Sequence, residues 1–492
     1  MRIISSIDAL TLTYDLQRGR KLSECSFLPR PPLDTSFSFN KDLQNILYGR
    51  HLTNDDLSLP LSEMQSHLEK GYLNLDYGVF KKNGNWFCNR CGNNNLNKFA
   101  VFHCARCGEN CTYCRSCIMM GRICECTPFF TWSGPALELP PLHNSLVWSG
   151  ALSAGQANAS KKMIESIKAP RSLLVWAVCG AGKTEILFEG IQEALAAGKR
   201  VCIATPRTDV VLELSPRLKN AFPNANLAVL YGGSEDRGKL ASLTISTTHQ
   251  LLRYNQAFDV LIIDEVDAFP YSLDETLQFA AEKARKPQGT LIYLSATPSK
   301  KMQHKVERRK LDCVKIPARY HGHTLPVPSF EWCGNWRKAL EKRKLPQTIL
   351  NWVLNQIDNQ KQAFIFAPRI EFLNKIVDLI KPFCDLVDSV HAEDPERKEK
   401  VLAFREGKTL LLVTTTILER GVTIPNSDVA VLGAEDSIFT ESALVQIAGR
   451  VGRHPDYPGG DVFYFHYGKT EAMIQAKNHI EAMNSLAKKS NI

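Results

Sequence analysis

A glycine-rich stretch that ends in lysine and threonine has the residue types and spacing of a phosphate-binding loop. It reads AVCGAGKTE over residues 177–185, between an apolar run and a helical stretch. Glycines allow backbone N–H groups to close around phosphates, and the N-terminus of the following helix adds partial positive charge. In such loops the lysine reaches the β- and γ-phosphates and the hydroxyl binds Mg²⁺. The stretch predicts a site for ATP and Mg²⁺ formed by Gly180, Ala181, Gly182, Lys183 and Thr184.

An acidic pair farther along the chain supplies the groups that hydrolysis requires. The run LIIDEVD (261–267) is a strand-like segment that ends in Asp264 and Glu265. We expect Asp264 to hold Mg²⁺, directly or through water, and Glu265 to polarise the attacking water. An acidic pair at a strand end is common, but after a phosphate-binding loop it indicates ATP hydrolysis.

A third group of side chains comes from the second half of the chain. The segment QIAGRVGR (446–453) offers a glutamine that would orient the water or sense the phosphate, and two arginines that would neutralise charge on the γ-phosphate: Gln446, Arg450 and Arg453. An inserted arginine of this type accelerates hydrolysis by ~10³–10⁵. Because these residues belong to a separate block, we expect hydrolysis to be coupled to closure of two lobes.

The cysteines are concentrated in one short region. Nine of the fifteen fall between Cys88 and Cys126, and in an intracellular chain such a density favours metal binding over disulfides. A C-x-x-C knuckle offers two thiolates to tetrahedral Zn²⁺, and structural zinc sites are usually closed by four ligands. We predict two structural Zn²⁺ ions, rather than buried free thiols or an iron–sulfur cluster, held by Cys88, Cys91, Cys104, Cys107, Cys114, Cys117, Cys124 and Cys126.

The spacing alone leaves the pairing of these cysteines open. Sequential pairing would join the first pair to the second and the third pair to the fourth, whereas crossed pairing would join the first to the third and the second to the fourth. Cys111 is left over, or it replaces a ligand in the last pair, whose C-x-C spacing is tighter. His103 is interpreted as a surface residue. Nothing in this region indicates a catalytic zinc with an open coordination position.

The elements that must position these residues form two successive α/β blocks. Apolar strand-like runs alternate with helical stretches and fit parallel sheets that are covered on both faces. The strand candidates are residues 172–178, 200–205, 243–248, 259–264 and 290–296 in the first block, and 362–368, 385–390, 409–416, 428–434 and 461–467 in the second. We predict a region of unknown role over 1–80, a zinc module over 81–130, two α/β lobes over 131–320 and 321–470, and a C-terminal helix over 471–492.

Composition is compatible with a nucleic-acid partner, although basic runs also occur as solvated surface faces. The net charge of +9 is compatible with a polyanion, and two strongly basic runs lie at 300–310 and 335–344. The sequence shows no apolar run of membrane-spanning length and no signal peptide, so we expect a cytoplasmic protein.

The order of the motifs resembles the core of superfamily 2 helicases, which implies that the two α/β lobes are RecA-like parallel-sheet lobes. These motifs are AxxGxGKT, with Ala177 in place of the usual first glycine, then DExD, the SAT of 295–297 and QxxGRxGR. By position, Gln156 resembles the glutamine that reads adenine. Segments 204–211, 231–234, 247–253, 365–369 and 414–425 resemble those that contact nucleic acid, mostly through phosphate and sugar.

Two further features make the chain similar to the ComFA family of late-competence proteins. The cysteine module that ends in YCRSCIMMGRI (113–123) precedes a helicase core with DEVD and HAEDPERKEKV (391–401), and the resemblance covers about 80–470. In PriA helicases the cysteines interrupt the second lobe, and DEAD-box helicases lack the module and carry alanine where Val266 stands.

The resemblance implies an ATPase that translocates on single-stranded DNA during uptake of transforming DNA. It also implies a ComFC-like phosphoribosyltransferase-like partner, the membrane channel for DNA uptake as a second partner, and a peripheral position at the inner face of the cell membrane. It favours crossed cysteine pairing, and it leaves oligomeric state open, a homo-oligomer included. The alternatives are a DNA-repair or replication-restart helicase of the PriA type and a non-hydrolysing, zinc-dependent DNA-binding adaptor.

Overall fold

The computed structural model describes residues 2–5, 10–13, 15, 19–57, 59–420 and 424–489. The chain divides into two compact units. The first unit consists of Met1–Trp148, Ile164–Ser172 and Glu189–Tyr293, and the second of Ser149–Met163, Leu173–Phe188 and Leu294–Ile492. The domain boundaries given above therefore stay predictions.

The helices and strands are numbered in chain order. The helices are α1 (Lys41–Leu47), α2 (Leu61–Glu69), α3 (Ala154–Lys168), α4 (Lys183–Ala196), α5 (Thr208–Ala221), α6 (Glu275–Ala284), α7 (Lys300–Glu307), α8 (Trp336–Glu341), α9 (Gln347–Asp358), α10 (Ile370–Ile380), α11 (Arg397–Arg405), α12 (Glu441–Ala448) and α13 (Glu471–Lys489). The strands are β1 (Arg2–Ser5), β2 (Leu10–Thr13), β3 (Leu52–Thr53), β4 (Leu73–Tyr77), β5 (Val79–Lys82), β6 (Asn85–Cys88), β7 (Phe99–Cys104), β8 (Glu109–Cys114), β9 (Pro128–Trp132), β10 (Leu173–Ala177), β11 (Val201–Thr205), β12 (Leu227–Leu230), β13 (Leu243–Thr247), β14 (Phe258–Ile263), β15 (Arg285–Ser295), β16 (Asp312–Ile316), β17 (Ser329–Trp332), β18 (Gln362–Phe366), β19 (Val387–Val390), β20 (Leu411–Thr414), β21 (Ser427–Leu432) and β22 (Val462–His466).

The N-terminal part of the first unit is built from antiparallel strands. Strand β9, which follows the cysteines, pairs with both β3 and β4, so the N-terminal region and the end of the cysteine module share one sheet. Phe130 of β9 is fully buried in a core with Leu43 and Met64. The cysteines themselves lie around two hairpins, β5–β6 and β7–β8.

The rest of the first unit contains a parallel sheet. Its strands follow one another in the order β12-β13-β11-β14-β15, and each neighbouring pair is parallel. Every residue of β11 and β13 is buried, as expected for strands that are covered on both faces.

The second unit also consists of parallel strands and helices. Strand β10 pairs with β16, and a sheet of the described residues has the order β17-β22-β21-β18-β20-β19, with every neighbouring pair parallel. Helix α13 packs against α12, and the His479 ring lies 3.1 Å from a carboxylate oxygen of Glu441. Helix α13 lies within the segment 471–492 for which a C-terminal helix was predicted, and the last three residues of that segment lie outside the described part.

The predicted fold of two RecA-like parallel-sheet lobes after an N-terminal cysteine module is confirmed. All ten strand candidates coincide with observed strands, and no strands were predicted for the N-terminal region that contains β1–β9. Within the two α/β blocks, β12, β16 and β17 were not predicted. These three are short or alternate polar with apolar residues, so their apolar runs are weak. None of the helices that the structure describes has the length and apolar character of a membrane-spanning segment.

Candidate nucleotide site and metal centres

The predicted phosphate loop joins a buried strand to a helix. Strand β10 ends at Ala177, and helix α4 begins at Lys183. Gly180 and Gly182 have φ angles of +79° and +68°, in the left-handed region that side chains rarely adopt. Lys183 and Thr184 are the first residues of α4, so the loop has the strand–turn–helix setting in which backbone N–H groups bind phosphate.

Gln156 contacts this loop directly. It lies on α3, where its Nε2 donates to the carbonyl oxygens of Ala181 at 2.9 Å and Gly182 at 3.3 Å, while its Oε1 accepts a hydrogen bond from the backbone of Ser153 at 2.8 Å. The amide group is therefore used within the protein, and recognition of adenine by Gln156 stays a prediction. Its observed contacts fix the backbone of the phosphate loop.

The segment with the two predicted arginines packs against the same loop within the second unit. The Cys179 thiol donates to Oε1 of Gln446 at 3.0 Å. A side chain at Gly449 would collide with Cys179, so the close approach needs a glycine there. Arg450 is only 1% exposed, and Nε of Arg453 donates to the carbonyl oxygen of Gly449 at 2.9 Å. The structure thus brings Gln446 and the arginine segment to the phosphate loop.

Cys179 and Arg319 were not identified from the sequence. Cys179 occupies a variable position of the loop motif, and Arg319 follows β16 outside every motif. The Arg319 guanidinium donates to the carbonyl oxygens of Val451 and Gly452 in the arginine segment. Only the fold places Arg319 near the phosphate loop and brings Cys179 into contact with Gln446.

The acidic pair lies at the end of a strand in the first unit. Strand β14 ends at Ile263, and the Asp264 N–H donates to the carbonyl oxygen of Ala204 at 2.8 Å. The Asp264 carboxylate accepts a hydrogen bond from the Glu265 N–H at 2.8 Å. Glu265 has a φ of +53°, a backbone conformation that costs about 1–3 kcal/mol for a non-glycine residue and that is concentrated at functional sites. The roles of this pair in Mg²⁺ binding and water activation stay predictions.

Segments predicted to contact nucleic acid follow strands of the same parallel sheet. Strands β11, β12 and β13 end at Thr205, Leu230 and Thr247, so segments 204–211, 231–234 and 247–253 lie toward one edge of the sheet. Ligands of open α/β sheets bind at this edge. In the second unit, 365–369 and 414–425 follow β18 and β20, and residues 421–423 of the latter lie outside the described residues.

The basic runs differ in how much of their charge is available. The run at 300–310 lies mostly on α7, which has no buried residue. In the run at 335–344, Arg337 forms ion pairs with Asp436 at 2.8 Å and Glu435 at 3.6 Å. The first run is therefore the more open to a polyanion.

The first group of cysteines is crossed. In the described part of the chain, the sulfurs of Cys88, Cys91, Cys114 and Cys117 all lie within 4.8 Å of one another, and all four residues are buried. Sγ–Sγ distances are 3.8 Å between Cys88 and Cys117 and 3.7 Å between Cys91 and Cys114. Tetrahedral Zn²⁺ with Zn–S bonds of ~2.3 Å requires S–S separations of about 3.8 Å. Four buried thiols at this spacing fit the ion.

Hydrogen bonds favour the thiolate form of one member of this group, Cys114. Neighbouring thiols, Cys117 first and then Cys88, lower the pKa of the Cys114 thiol. The amide of Asn93 also donates to Cys114 Sγ at 3.6 Å. Because metals bind thiolates, both interactions favour the form of Cys114 that would hold zinc. The same thiol–thiol hydrogen bonds raise the pKa of Cys91 and Cys117.

The second group differs from the predicted one. It contains Cys104, Cys107, Cys111 and Cys126, so Cys111 takes the place predicted for Cys124. The β7–β8 hairpin pairs Cys111 with Phe102, which brings its sulfur to 3.3 Å from Cys107. Cys124 lies beside the group, with its sulfur 3.6 Å from that of Cys126 and 3.1 Å from the Thr127 hydroxyl. The predicted alternative in which Cys111 replaces a ligand of the C-x-C pair is the one that this geometry supports.

The first cysteine group is joined to the parallel-sheet part of its unit by a partly buried lysine. Lys283 on α6 donates to the carbonyl oxygens of Arg90 at 2.9 Å and Leu252 at 3.1 Å. Arg90, which lies between Cys88 and Cys91, donates in turn to the carbonyl oxygens of Met120 and Gly121. The loop that carries two ligands is thus bonded both to α6 and to the loop after Cys117.

Three family models match the chain. They are the competence protein ComFA N-terminal domain over residues 35–131, the type III restriction enzyme res subunit over 150–300 and the helicase conserved C-terminal domain over 342–455. The first match spans the cysteine module, and the other two span the nucleotide-site motifs.

Individual relatives share most of this length. The competence protein ComFA of Bacillus subtilis (strain 168) is 52% identical over 93% of this chain and 98% of that protein. The protein of the same name from Streptococcus pneumoniae (strain ATCC BAA-255 / R6) is 35% identical over 83% of this chain and 92% of that protein. The ATP-dependent DNA helicase RecG of Streptococcus pneumoniae serotype 4 is 26% identical over 62% of this chain and 47% of its own length.

Proposed function

Because this chain belongs to the ComFA family of competence proteins, we propose that it is a motor that moves along single-stranded DNA and drives the uptake of transforming DNA. The chain is an ATP-hydrolysing, DNA-acting enzyme with superfamily 2 helicase domains. Translocation and its use in DNA uptake are the proposed parts.

The contact between the phosphate loop and the arginine segment is the observation that carries the proposal. Gln446 contacts Cys179, and the buried Arg450 and the partly buried Arg453 follow in the same segment. Arginines that neutralise the γ-phosphate can sense its loss, and so can convert hydrolysis into movement of the segment that carries them. We infer that Mg²⁺, with Thr184 among its ligands, would neutralise phosphate charge when bound.

The segments at the carboxyl ends of β11, β12 and β13 are the proposed DNA-contacting surface of the first unit. Phosphate and sugar contacts do not read sequence, so such a motor would accept any incoming strand. The basic helix α7 would add affinity that falls steeply with salt.

The cysteine module is proposed to hold two structural Zn²⁺ ions. The module has little apolar core of its own, because its second half clusters mainly around sulfurs. Structural zinc contributes ~10–16 kcal/mol of apparent folding free energy, which can replace such a core. The folded module would support DNA or a partner beside the motor.

Displacement of streptavidin from the end of biotinylated single-stranded DNA tests translocation. We expect ATP-dependent displacement by the natural protein. We expect none by Asp264→Asn, which would retain DNA binding because Asp264 serves the metal and not the strand. Lys408→Ala, at an exposed position, is the matched control. ATP hydrolysis without displacement by the natural protein would contradict the translocase and leave the ATPase standing.

A deletion strain distinguishes DNA uptake from repair. The proposal predicts loss of transformation with normal survival of ultraviolet light, whereas a repair or restart helicase of the PriA type predicts the reverse. In the same strain background, we expect tagged protein to co-purify with a ComFC-like protein and with the DNA-uptake channel at the inner face of the membrane. If the tagged protein co-purifies with neither, the proposal of these partners is wrong.

A further inference from the structure

Arg319 is a fully buried arginine that the sequence motifs do not include. It lies in the segment PARYHGH (317–323) after β16, and its side chain is 1% exposed. Its two terminal nitrogens donate to two successive backbone carbonyl oxygens, of Val451 at 2.5 Å and of Gly452. Both carbonyls lie between the two predicted arginines of QIAGRVGR. One guanidinium therefore fixes the backbone on which those arginines are mounted.

Arg319 and the residue after it, Tyr320, also contact the phosphate loop. The N–H of Tyr320 donates to the carbonyl oxygen of Gly180 at 3.0 Å. A Cβ placed on Gly180 would lie 3.4 Å from Cγ of Arg319, so the arginine stem packs over the loop at this glycine. Arg319 and Tyr320 thus join the phosphate loop to the arginine segment, and all of these residues belong to the second unit.

The buried guanidinium of Arg319 has one hydrogen-bond donor unused by the described residues and lies near a second positive charge. Among the described residues, its buried Nε has no hydrogen-bond partner. Burial first, and then the nearby charge of Arg453, lower the pKa of Arg319 to about 10. Two guanidinium groups in a desolvated region repel each other, and a phosphate between them would relieve both the repulsion and the burial cost.

We propose that Arg319 is a positioning residue for ATP hydrolysis, which holds the Arg450–Arg453 segment against the phosphate loop so that these arginines meet the γ-phosphate. This role rests on the ATPase activity and not on translocation. It makes the segment after β16 a working part of the nucleotide site, although no motif marks it.

Steady-state ATPase kinetics of Arg319→Ala and Arg319→Lys test this role. Lysine cannot donate to two carbonyls from one plane, so both variants lose the pair of hydrogen bonds to Val451 and Gly452. We expect kcat to fall about tenfold or more while KM for ATP changes less than about threefold, because the phosphate loop keeps its own contacts to the nucleotide. Added guanidinium ion should restore part of the rate of Arg319→Ala and should not accelerate the natural protein.

Arg50→Ala is the matched control. Arg50 is also buried, at 2% exposure, and donates to the carbonyl oxygens of Gly238 and Lys239, but it lies in the first unit. Thermal melting of all variants reports folding, and if Arg319→Ala does not fold, Arg319→Lys carries the kinetic test alone. An unchanged kcat overturns the proposal, as does a loss that only parallels the loss of folded protein. Because ATPase and strand movement are measured separately, failure of the translocase would leave this result interpretable.

Discussion

The nucleotide site and the cysteine module differ in the groups that would bind a charged ligand. Around the phosphate loop, much of the binding comes from backbone N–H groups that a strand, a turn and a helix orient locally. In the cysteine module, each proposed ion depends on four particular sulfurs from distant knuckles, such as Cys88 and Cys117. The phosphate loop therefore tolerates Ala177 in a position where related loops carry glycine. The module would lose a metal ligand if any one of the grouped cysteines were replaced.

The two regions also differ in what stabilises them. The phosphate loop lies between β10 and α4, inside a packed α/β unit. The second cysteine group is surrounded by sulfurs and by the partly buried Phe102 and Tyr113. Changes at the nucleotide site should therefore affect rate and leave the fold intact, whereas changes in the module should affect the fold first.

The largest expected effect is the loss of ATP hydrolysis in Lys183→Ala. Without the ammonium that contacts the β- and γ-phosphates, DNA-stimulated phosphate release should fall by at least about 10²-fold, while DNA binding and zinc content stay unchanged. Phosphate release and fluorescence anisotropy with labelled single-stranded DNA measure the two activities, with Lys408→Ala as control. An undiminished ATPase would show that the site has been misassigned.

The next largest effect is expected from Cys114→Ala. Loss of one of four ligands should reduce zinc from two ions to one per chain and unfold part of the module, because each structural ion contributes ~10–16 kcal/mol. Elemental analysis measures the zinc, and alkylation with mass spectrometry shows which thiols become reactive. Crossed pairing predicts that Cys88 and Cys91 are exposed, whereas exposure of Cys124 and Cys126 would favour sequential pairing. Cys384→Ala, outside the module, is the control.

A finer prediction concerns the fourth ligand of the second group. Since Cys111 lies among the four grouped sulfurs and Cys124 beside them, Cys111→Ser should lose one zinc ion and Cys124→Ser should retain both. The matched pair differs only in which thiol is removed, and elemental analysis again gives the result. The reverse outcome would restore the ligand set predicted from the sequence.

The smallest effect is expected from Lys283→Met, which keeps the stem of the side chain but removes two hydrogen bonds to carbonyl oxygens. At ~0.5–1.5 kcal/mol for each bond, the free energy of unfolding should fall by about 1–3 kcal/mol, with both zinc ions retained. Urea unfolding measures the change, with Lys305→Met at an exposed position as control. Loss of zinc in Lys283→Met would mean that the lysine supports the metal site itself and not only its attachment to α6.

The sequence predicted the elements around the nucleotide site well because the residues of each motif lie close together along the chain. Near-continuous apolar runs give buried parallel strands, and glycines next to lysine give the phosphate loop. The role of Gln156 in reading adenine was assigned by resemblance to superfamily 2 helicases and stays a prediction. In the structure its amide is bonded to the loop backbone. Its local setting, a glutamine ahead of a strand, does not reveal which acceptor it will reach.

By itself, the sequence determined the two α/β blocks, the phosphate loop, the acidic pair and the presence of a metal-binding module, since these depend on residue types at short spacing. The tertiary structure alone decided that Cys111 rather than Cys124 joins the second cysteine group, because a hairpin register places one sulfur and not the other. It also decided that Arg319 clamps the arginine segment. The partners of a buried guanidinium are backbone carbonyls, which every residue carries and no sequence pattern marks.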